Sequence, residues 1–223
     1  MLAEIRENLV QNRAFMSAVA IIVLAAGKGT RMKSVLPKVM HRAAGRSLLG
    51  HVLHAAGALN PQEAVVVVGP DMDAVWEEAR GIFPSVKQAI QVDRLGTAHA
   101  VSMARAALSG FKGTVIVLYG DVPLISAGSL RQLVDLAGDG MAVLGFEAAN
   151  PHGYGRLLQE PGGDVVMIRE ELDASPAERA ISLCNSGVIA ISADLLWTLL
   201  PRIGNANAKA EYYLTDLVEL AAA

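Results

Sequence analysis

The sequence predicts a Rossmann-like α/β fold, a mostly parallel sheet with helices on both faces. Three short apolar runs rich in β-branched residues, 20–24, 65–68 and 114–118, are typical of strands buried on both faces. Segments with apolar residues at helical spacing separate these runs. Strands that alternate with helices indicate βαβ units, so we expect the strands to lie parallel in one sheet.

The helices follow from the spacing of apolar side chains along the chain. Over 48–57 these residues recur at helical intervals, and Gly57 is a typical helix stop. Similar spacing predicts further helices over 75–79, 97–108, 129–136, 195–200 and 215–223. Short strands are predicted over 141–146, 153–158, 165–169 and 187–191. Their close succession favours strands added beside the main sheet over a separate domain.

Composition and charge exclude several classes of protein. With 52% hydrophobic and 18% charged residues, the chain of 223 residues is too apolar to be disordered. A net charge of −3 excludes a general electrostatic footprint for nucleic acid or an anionic membrane. The early apolar run 18–26 is far shorter than the roughly 20 residues that cross a bilayer. The single cysteine, Cys184, excludes an intramolecular disulfide and fits a cytoplasmic location.

A glycine-rich loop follows the first predicted strand. Gly27 and Gly29 permit close backbone approach to a phosphate, and Lys28 and Arg31 add positive charge. The spacing matches neither a Walker loop nor a dinucleotide fingerprint, which would require glycine where Met32 stands. Taken alone, this loop is equally compatible with a tight structural turn.

Two charged residues are expected near the same edge of the sheet. Lys38 follows Pro37, which stiffens the backbone and reduces the entropy lost when the ammonium group meets a phosphate. Asp121 follows the third apolar run and could hold Mg²⁺ together with substrate phosphates. A solvated lysine and a turn-capping aspartate are the alternatives. Because ligands bind where parallel strands end, joint placement of both residues with the loop favours a phosphate site.

Longer segments resemble a known family, the N-terminal uridylyltransferase domain of the bifunctional bacterial GlmU enzymes. The resemblance begins in Leu24-Ala25-Ala26-Gly27-Lys28-Gly29-Thr30-Arg31-Met32 and Leu36-Pro37-Lys38-Val39-Met40-His41. It continues in the same order through Gln91, Leu95-Gly96-Thr97-Ala98-His99-Ala100, Leu118-Tyr119-Gly120-Asp121-Val122-Pro123-Leu124, Gly153-Tyr154-Gly155-Arg156, Glu170, Asn185-Ser186-Gly187 and Glu211-Tyr212-Tyr213-Leu214-Thr215-Asp216. The resemblance implies the fold of nucleotide-diphospho-sugar transferases.

The resemblance also implies a role for each matching residue. Uracil and ribose would be held by Leu24, Ala25, Ala26, Gly27, Gln91, Gly96 and Thr97. Phosphates would be bound by Arg31 and Lys38, and Mg²⁺ by Asp121. The sugar would be contacted by Tyr119, Gly120, Gly155, Glu170 and Asn185. His99, to which the resemblance assigns no role, is expected to be a packing or hydrogen-bonding residue.

The implied reaction joins UTP and N-acetylglucosamine 1-phosphate into UDP-N-acetylglucosamine and pyrophosphate, a step toward cell-wall precursors. The sugar phosphate attacks the α-phosphorus in line, so the reaction requires positioning and charge neutralisation more than acid or base help. Two alternatives remain open. The acceptor could be another phosphorylated compound, or the protein could bind a nucleotide sugar with little turnover.

The chain departs from the family pattern near its end. The family has a second Mg²⁺ ligand, an asparagine, beyond the point where this chain stops at Ala223. The hexapeptide-repeat β-helix that builds the family's trimer does not follow either. We therefore expect an N-terminal extension over 1–17, a nucleotidyltransferase domain over 18–223 truncated at its C-terminal end, and a monomer.

Overall fold

The structure, a computed structural model, describes residues 18–27, 29 and 32–223. Its strands are β1 (Val19–Leu24), β2 (Arg42–Ala43), β3 (Arg46–Ser47), β4 (Glu63–Val68), β5 (Lys87–Ile90), β6 (Thr114–Tyr119), β7 (Met141–Glu147), β8 (Arg156–Gln159), β9 (Val165–Arg169) and β10 (Leu183–Ser192). Its α-helices are α1 (Leu48–Gly57), α2 (Asp73–Ile82), α3 (Thr97–Met103), α4 (Ala127–Ala137), α5 (Pro176–Arg179), α6 (Ala193–Leu199) and α7 (Asp216–Ala222). Short 3-10 helices span Lys38–Met40 and Leu200–Arg202. None of the helices described is long and apolar enough to cross a membrane.

One eight-stranded sheet runs through the molecule in the order β5-β4-β1-β6-β10-β8-β9, with β7 paired to β10. The strands β5, β4, β1 and β6 are parallel, as the alternation of strands and helices predicts. Strands β7, β8, β9 and β10 join this sheet antiparallel, beginning with β10 beside β6, whereas β2 and β3 form a separate two-stranded sheet. The predicted α/β fold is confirmed, and the later strands extend the main sheet.

Both faces of the parallel strands are buried, which explains why their sequences are apolar without alternation. Along β1, Ile21 and Val23 pack into one core cluster and Ala20 and Ile22 into the other. Helices α1, α2 and α4 cover the first face, and α3, α6 and α7 cover the second. Full burial of each isoleucine contributes about 1.5–3 kcal/mol to folding.

Several elements differ from the sequence expectation, among them β2, β3 and α5, which were not predicted. The helix predicted over 97–108 ends at Met103, because the Ala104 N–H donates to the Val101 carbonyl and the chain continues in turns. Strand β5 was not predicted, since Ala89 is its only buried side chain and the pattern of its residues is mostly polar. The ladder with β4, rather than an apolar run, makes this segment a strand.

Candidate active site

A cleft of about 250 Å³ opens at the carboxyl ends of the parallel strands, where an open α/β sheet binds its ligands. The loops after β1, β5 and β6 all contribute to it. Its wall consists of Leu24, Ala25, Ala26, Gly27, Gly29, Lys38, Val39, Gln91, Arg94, Gly96, Thr97, Ala100, Tyr119, Asp121 and Glu211. All the residues expected to hold the nucleoside therefore meet in one place, together with Lys38 and Asp121.

The glycine-rich loop is held against the sheet and against Lys38. The Ala25 N–H donates to the Val67 carbonyl at 2.8 Å, which continues the pairing of β1 and β4 beyond the strand. Gly29 has a φ of 61°, and a Cβ there would lie 2.6 Å from the Lys38 Cβ. Only glycine allows this approach, so the glycine brings the loop backbone and the lysine side chain to the same cleft.

Lys38 and Asp121 form an ion pair in the cleft. The Lys38 Nζ lies 2.5 Å from the Asp121 Oδ2, and the side chains are 45% and 23% exposed. Pro37, with a φ of −52°, leads into the 3-10 helix that carries the lysine. On the other side, the Gly120 N–H donates to the Leu24 carbonyl at 2.9 Å and holds Asp121 beside β1. A cation and a carboxylate are thus placed beside the glycine-rich loop.

At the opposite end of the cleft, the loop before α3 is fastened to the segment before α7. The Tyr212 N–H donates to the Leu95 carbonyl at 2.8 Å, and the Ala98 N–H donates to the Tyr212 carbonyl at 2.9 Å. The Leu214 N–H donates to the Thr97 Oγ1 at 2.9 Å. The Thr97 hydroxyl thus accepts a backbone hydrogen bond and braces this loop, besides lining the cleft.

We expect Gly96→Ala to destabilise the protein and to weaken nucleotide binding. Gly96 has φ 121° and ψ 178°, a conformation open only to glycine, and a Cβ would lie 2.4 Å from the Tyr212 carbonyl oxygen. The backbone strain alone costs about 1–3 kcal/mol. Urea denaturation measures the loss in the free energy of unfolding. Gly81→Ala is the matched control, because a Cβ at this position of α2 meets open space. This substitution should raise the free energy of unfolding by about 0.5–1 kcal/mol, since alanine favours a helix more than glycine does.

Tyr119 lies between the cleft and the residues expected to contact a sugar. Burial raises the pKa of its phenol well above the ordinary value, and this outweighs a hydrogen bond with Thr97 that lowers it. The negative charges of Glu170 and Asp121 raise it further. Gly187 lets β10 pass the ring, since a Cβ there would lie 2.9 Å from ring carbons. Tyr119 therefore stays a neutral phenol that does not repel phosphates.

The residues expected to contact a sugar gather beyond Tyr119. The Asn185 N–H donates to the Gly155 carbonyl at 2.8 Å, and the Asn185 Oδ1 accepts from the Gly187 N–H at 2.9 Å. Glu170 accepts from the Thr215 hydroxyl at 3.2 Å and lines a neighbouring cavity of about 320 Å³. Burial raises the pKa of the Glu170 carboxyl, and the Thr215 hydrogen bond opposes this.

The structure thus separates the expected site residues into two groups. Of the sugar residues, Tyr119 lines the first cleft, whereas Gly120, Gly155, Glu170 and Asn185 are not part of its wall. Arg31 lies outside the described residues, as do Lys28, Thr30 and residues 1–17.

Arg94 is a cleft residue that the sequence reasoning missed. Its Nε–H donates to the Ala26 carbonyl at 2.7 Å, so it fastens the glycine-rich loop from the far side. A Cβ on Gly69 would lie 2.3 Å from its Nη2, which shows how closely the guanidinium packs on the turn after β4. Its position in the sequence between Gln91 and Gly96, two residues expected to bind the nucleoside, could have indicated that it lies in the cleft.

A metal ion at this site would depend on one carboxylate. Within the described residues no group of three or more His, Cys, Asp or Glu side chains could hold a metal. Asp121 lies in the cleft wall with a positive partner already at its Oδ2. This donor set fits a hard cation such as Mg²⁺ only where phosphates supply further oxygens, which is the usual arrangement for Mg²⁺.

The fold and the cleft define a nucleotidyltransferase. Residues 21–204 match the family model of the MobA-like NTP transferase domain, and the chain belongs to this family. The fold is also similar to a solved UDP-glucose pyrophosphorylase in complex with UDP-glucose, with a TM-score of 0.74 and 18% identity over 92% of this chain and 87% of that one. At this identity the likeness concerns the fold alone.

Curated relatives are considerably closer in sequence. The bifunctional protein GlmU of Rhodospirillum rubrum is 51% identical over 92% of this chain and 46% of its own length. GlmU of Ruegeria sp. is 50% identical over 92% of this chain and 45% of its own length. GlmU of Xanthobacter autotrophicus is 52% identical over 91% and 46%. The chain spans about half the length of these relatives, and the similarity covers nearly all of this chain.

Proposed function

We propose that residues 18–223 form a nucleotidyltransferase domain that transfers UMP from UTP to N-acetylglucosamine 1-phosphate, yielding UDP-N-acetylglucosamine and pyrophosphate. The observation that carries the proposal is the Lys38–Asp121 pair, 2.5 Å apart beside the glycine-rich loop in a cleft that Gln91 and Gly96 also line. Nearly the whole of this chain is similar to about half of each GlmU protein. This similarity supports the choice of substrates. The buried, unpaired Cys184 fits a cytoplasmic enzyme.

Each end of the cleft has its own task in this reaction. The backbone of 24–27 and the loop around Gly96 would hold the nucleoside, and Lys38, which lines the same cleft, would bind the phosphates. The ammonium group neutralises the charge that develops as the acceptor phosphate approaches the α-phosphate. Glu170 and Asn185, on the far side of Tyr119, orient the sugar so that its phosphate oxygen points at the phosphorus.

The chemistry needs no protein nucleophile. An oxygen of the sugar phosphate forms the new bond to the α-phosphorus, the bond to the β-phosphate oxygen breaks, and pyrophosphate leaves with the electron pair. Fixing both reactants in line converts a bimolecular step into an effectively unimolecular one. Asp121 would hold Mg²⁺, which supplies charge neutralisation on the phosphates when bound. Lys38 would then exchange its carboxylate partner for phosphate oxygens.

The site should prefer UTP to CTP by roughly tenfold to a hundredfold in kcat/KM, which corresponds to one buried hydrogen bond of about 1–3 kcal/mol. Gln91 is 4% exposed and lines the cleft, so its amide faces the base without competition from bulk water. Gln91→Ala should reduce the ratio, and some preference should survive through the backbone around Gly96.

Competition assays with both triphosphates measure this ratio. Gln88→Ala is the matched control, because Gln88 is an exposed glutamine of β5 outside the cleft wall and should leave the ratio unchanged. Equal use of UTP and CTP by the unmutated protein would contradict the uracil assignment and the proposed function together.

A further inference from the structure

The amide of Gln91 has a defined orientation, and its surroundings determine it. The Gln91 Nε2 lies 3.1 Å from the Gly96 carbonyl oxygen. A backbone carbonyl can only accept hydrogen bonds, so the amide atom facing it must be the nitrogen. The same carbonyl accepts from the Ala100 N–H at 3.1 Å, which fixes it at the start of α3. The first N–H of the amide is therefore committed to Gly96.

The second N–H of the amide is directed at His99. The distance from the Gln91 Nε2 to the His99 Nδ1 is 3.1 Å. Since an NH₂ group can only donate, the His99 Nδ1 must be an acceptor, and the ring proton must be on Nε2. His99 is carried on α3 one turn after Gly96, and its own carbonyl accepts from the Ser102 hydroxyl at 2.7 Å.

One hydrogen-bonding atom of the amide remains. Both donors of Gln91 are used inside the protein, and the Oε1 makes no hydrogen bond within the part of the chain that the structure describes. Gln91 lines the cleft, so the Oε1 is the amide atom left to accept from a base bound there.

We propose that His99 is a positioning residue that sets base specificity: by accepting from Gln91 it holds the Oε1 toward the base. The proposal rests on the proposed function and deepens it. Uracil presents an N3–H donor between two carbonyl groups, which matches a lone acceptor. Cytosine presents an unprotonated N3 at that place, and two acceptors that face each other leave both unpaired. His99 acts through Gln91 and does not itself touch the base.

An isosteric pair of variants tests the role of the ring nitrogen. In His99→Asn the Oδ1 can take the place of the Nδ1 acceptor, whereas His99→Leu has nearly the shape of that asparagine and no hydrogen-bonding group. We expect His99→Leu to lower the UTP/CTP ratio in kcat/KM at least fivefold, mostly through a higher KM for UTP. His99→Asn should keep the ratio within about twofold of the unmutated protein.

The outcomes separate the inference from the function on which it rests. A UTP preference that persists unchanged in His99→Leu overturns the role of His99 and leaves the proposed function standing. Equal use of both triphosphates by the unmutated protein overturns both. A loss of turnover with UTP and CTP alike in both variants, at an unchanged ratio, also overturns the inference, because it would show a merely structural histidine.

A second measurement requires no variant. The ¹⁵N chemical shifts of the histidine ring, recorded at pH 8 on the unmutated protein, distinguish the two neutral tautomers. We expect the His99 proton on Nε2 and an unprotonated Nδ1 coupled across a hydrogen bond to the Gln91 side-chain amide. A proton on Nδ1 would overturn the inference even if the variants could not be purified in folded form.

Discussion

Asp121→Ala is expected to lower Mg²⁺-dependent release of pyrophosphate from UTP by more than about a hundredfold, or about 2.7 kcal/mol in the barrier. Asp121 is the carboxylate in the wall of the cleft that faces Lys38, and the rest of the described wall offers only Glu211 as another acid. Without Asp121, the cleft lacks the carboxylate oxygen that would bind a cation together with the phosphates. A coupled pyrophosphate assay over a range of Mg²⁺ concentrations measures the effect.

The same change should leave the fold intact, because partly exposed ion pairs contribute only about 0–1 kcal/mol to stability. Asp194→Ala is the matched control. Asp194 pairs with Lys112 at the same 2.5 Å, but on the exposed surface with 75% of its side chain accessible. Turnover of Asp121→Ala above about a tenth of normal would return Asp121 to the role of a turn-capping residue.

Lys38→Ala is expected to lower kcat/KM for UMP transfer by about a hundredfold or more, roughly 3 kcal/mol. The physical reason is the position of Lys38, whose Cβ lies close to Gly29 of the glycine-rich loop and whose ammonium group already meets a carboxylate in the cleft. It acts most strongly on charge that develops during the reaction, so we expect kcat to fall more than KM rises.

Steady-state kinetics with varied UTP and sugar phosphate separate these two constants. Lys112→Ala, which removes the exposed partner of Asp194 outside the cleft wall, is the matched control and should be neutral. Near-normal rates in Lys38→Ala would show a solvated lysine whose pairing with Asp121 has no part in the reaction.

The sequence by itself determined three of the four parallel strands, β1, β4 and β6, and the place of the glycine-rich loop. Runs such as 65–68 are apolar on both sides because both faces of β4 are buried, and this leaves a local signature that needs no partner to be recognised. The order of β1, loop, Lys38 and Asp121 predicts one edge of the sheet, since parallel strands all end there. The family resemblance extended that expectation to the nucleoside-binding residues, and they do line one cleft.

Only the tertiary structure decided which groups remain available to a ligand. Gln91 and Thr97, which the resemblance assigns to the nucleotide, both line the cleft. Within the protein, the amide donors of Gln91 are used by Gly96 and His99, and the Thr97 hydroxyl accepts from Leu214, 117 positions along the chain. Arg94 and the short helix ending at Met103 also depend on such pairings. A local pattern reports burial and backbone preference, whereas the hydrogen-bond partner of a side chain depends on segments that only folding brings together.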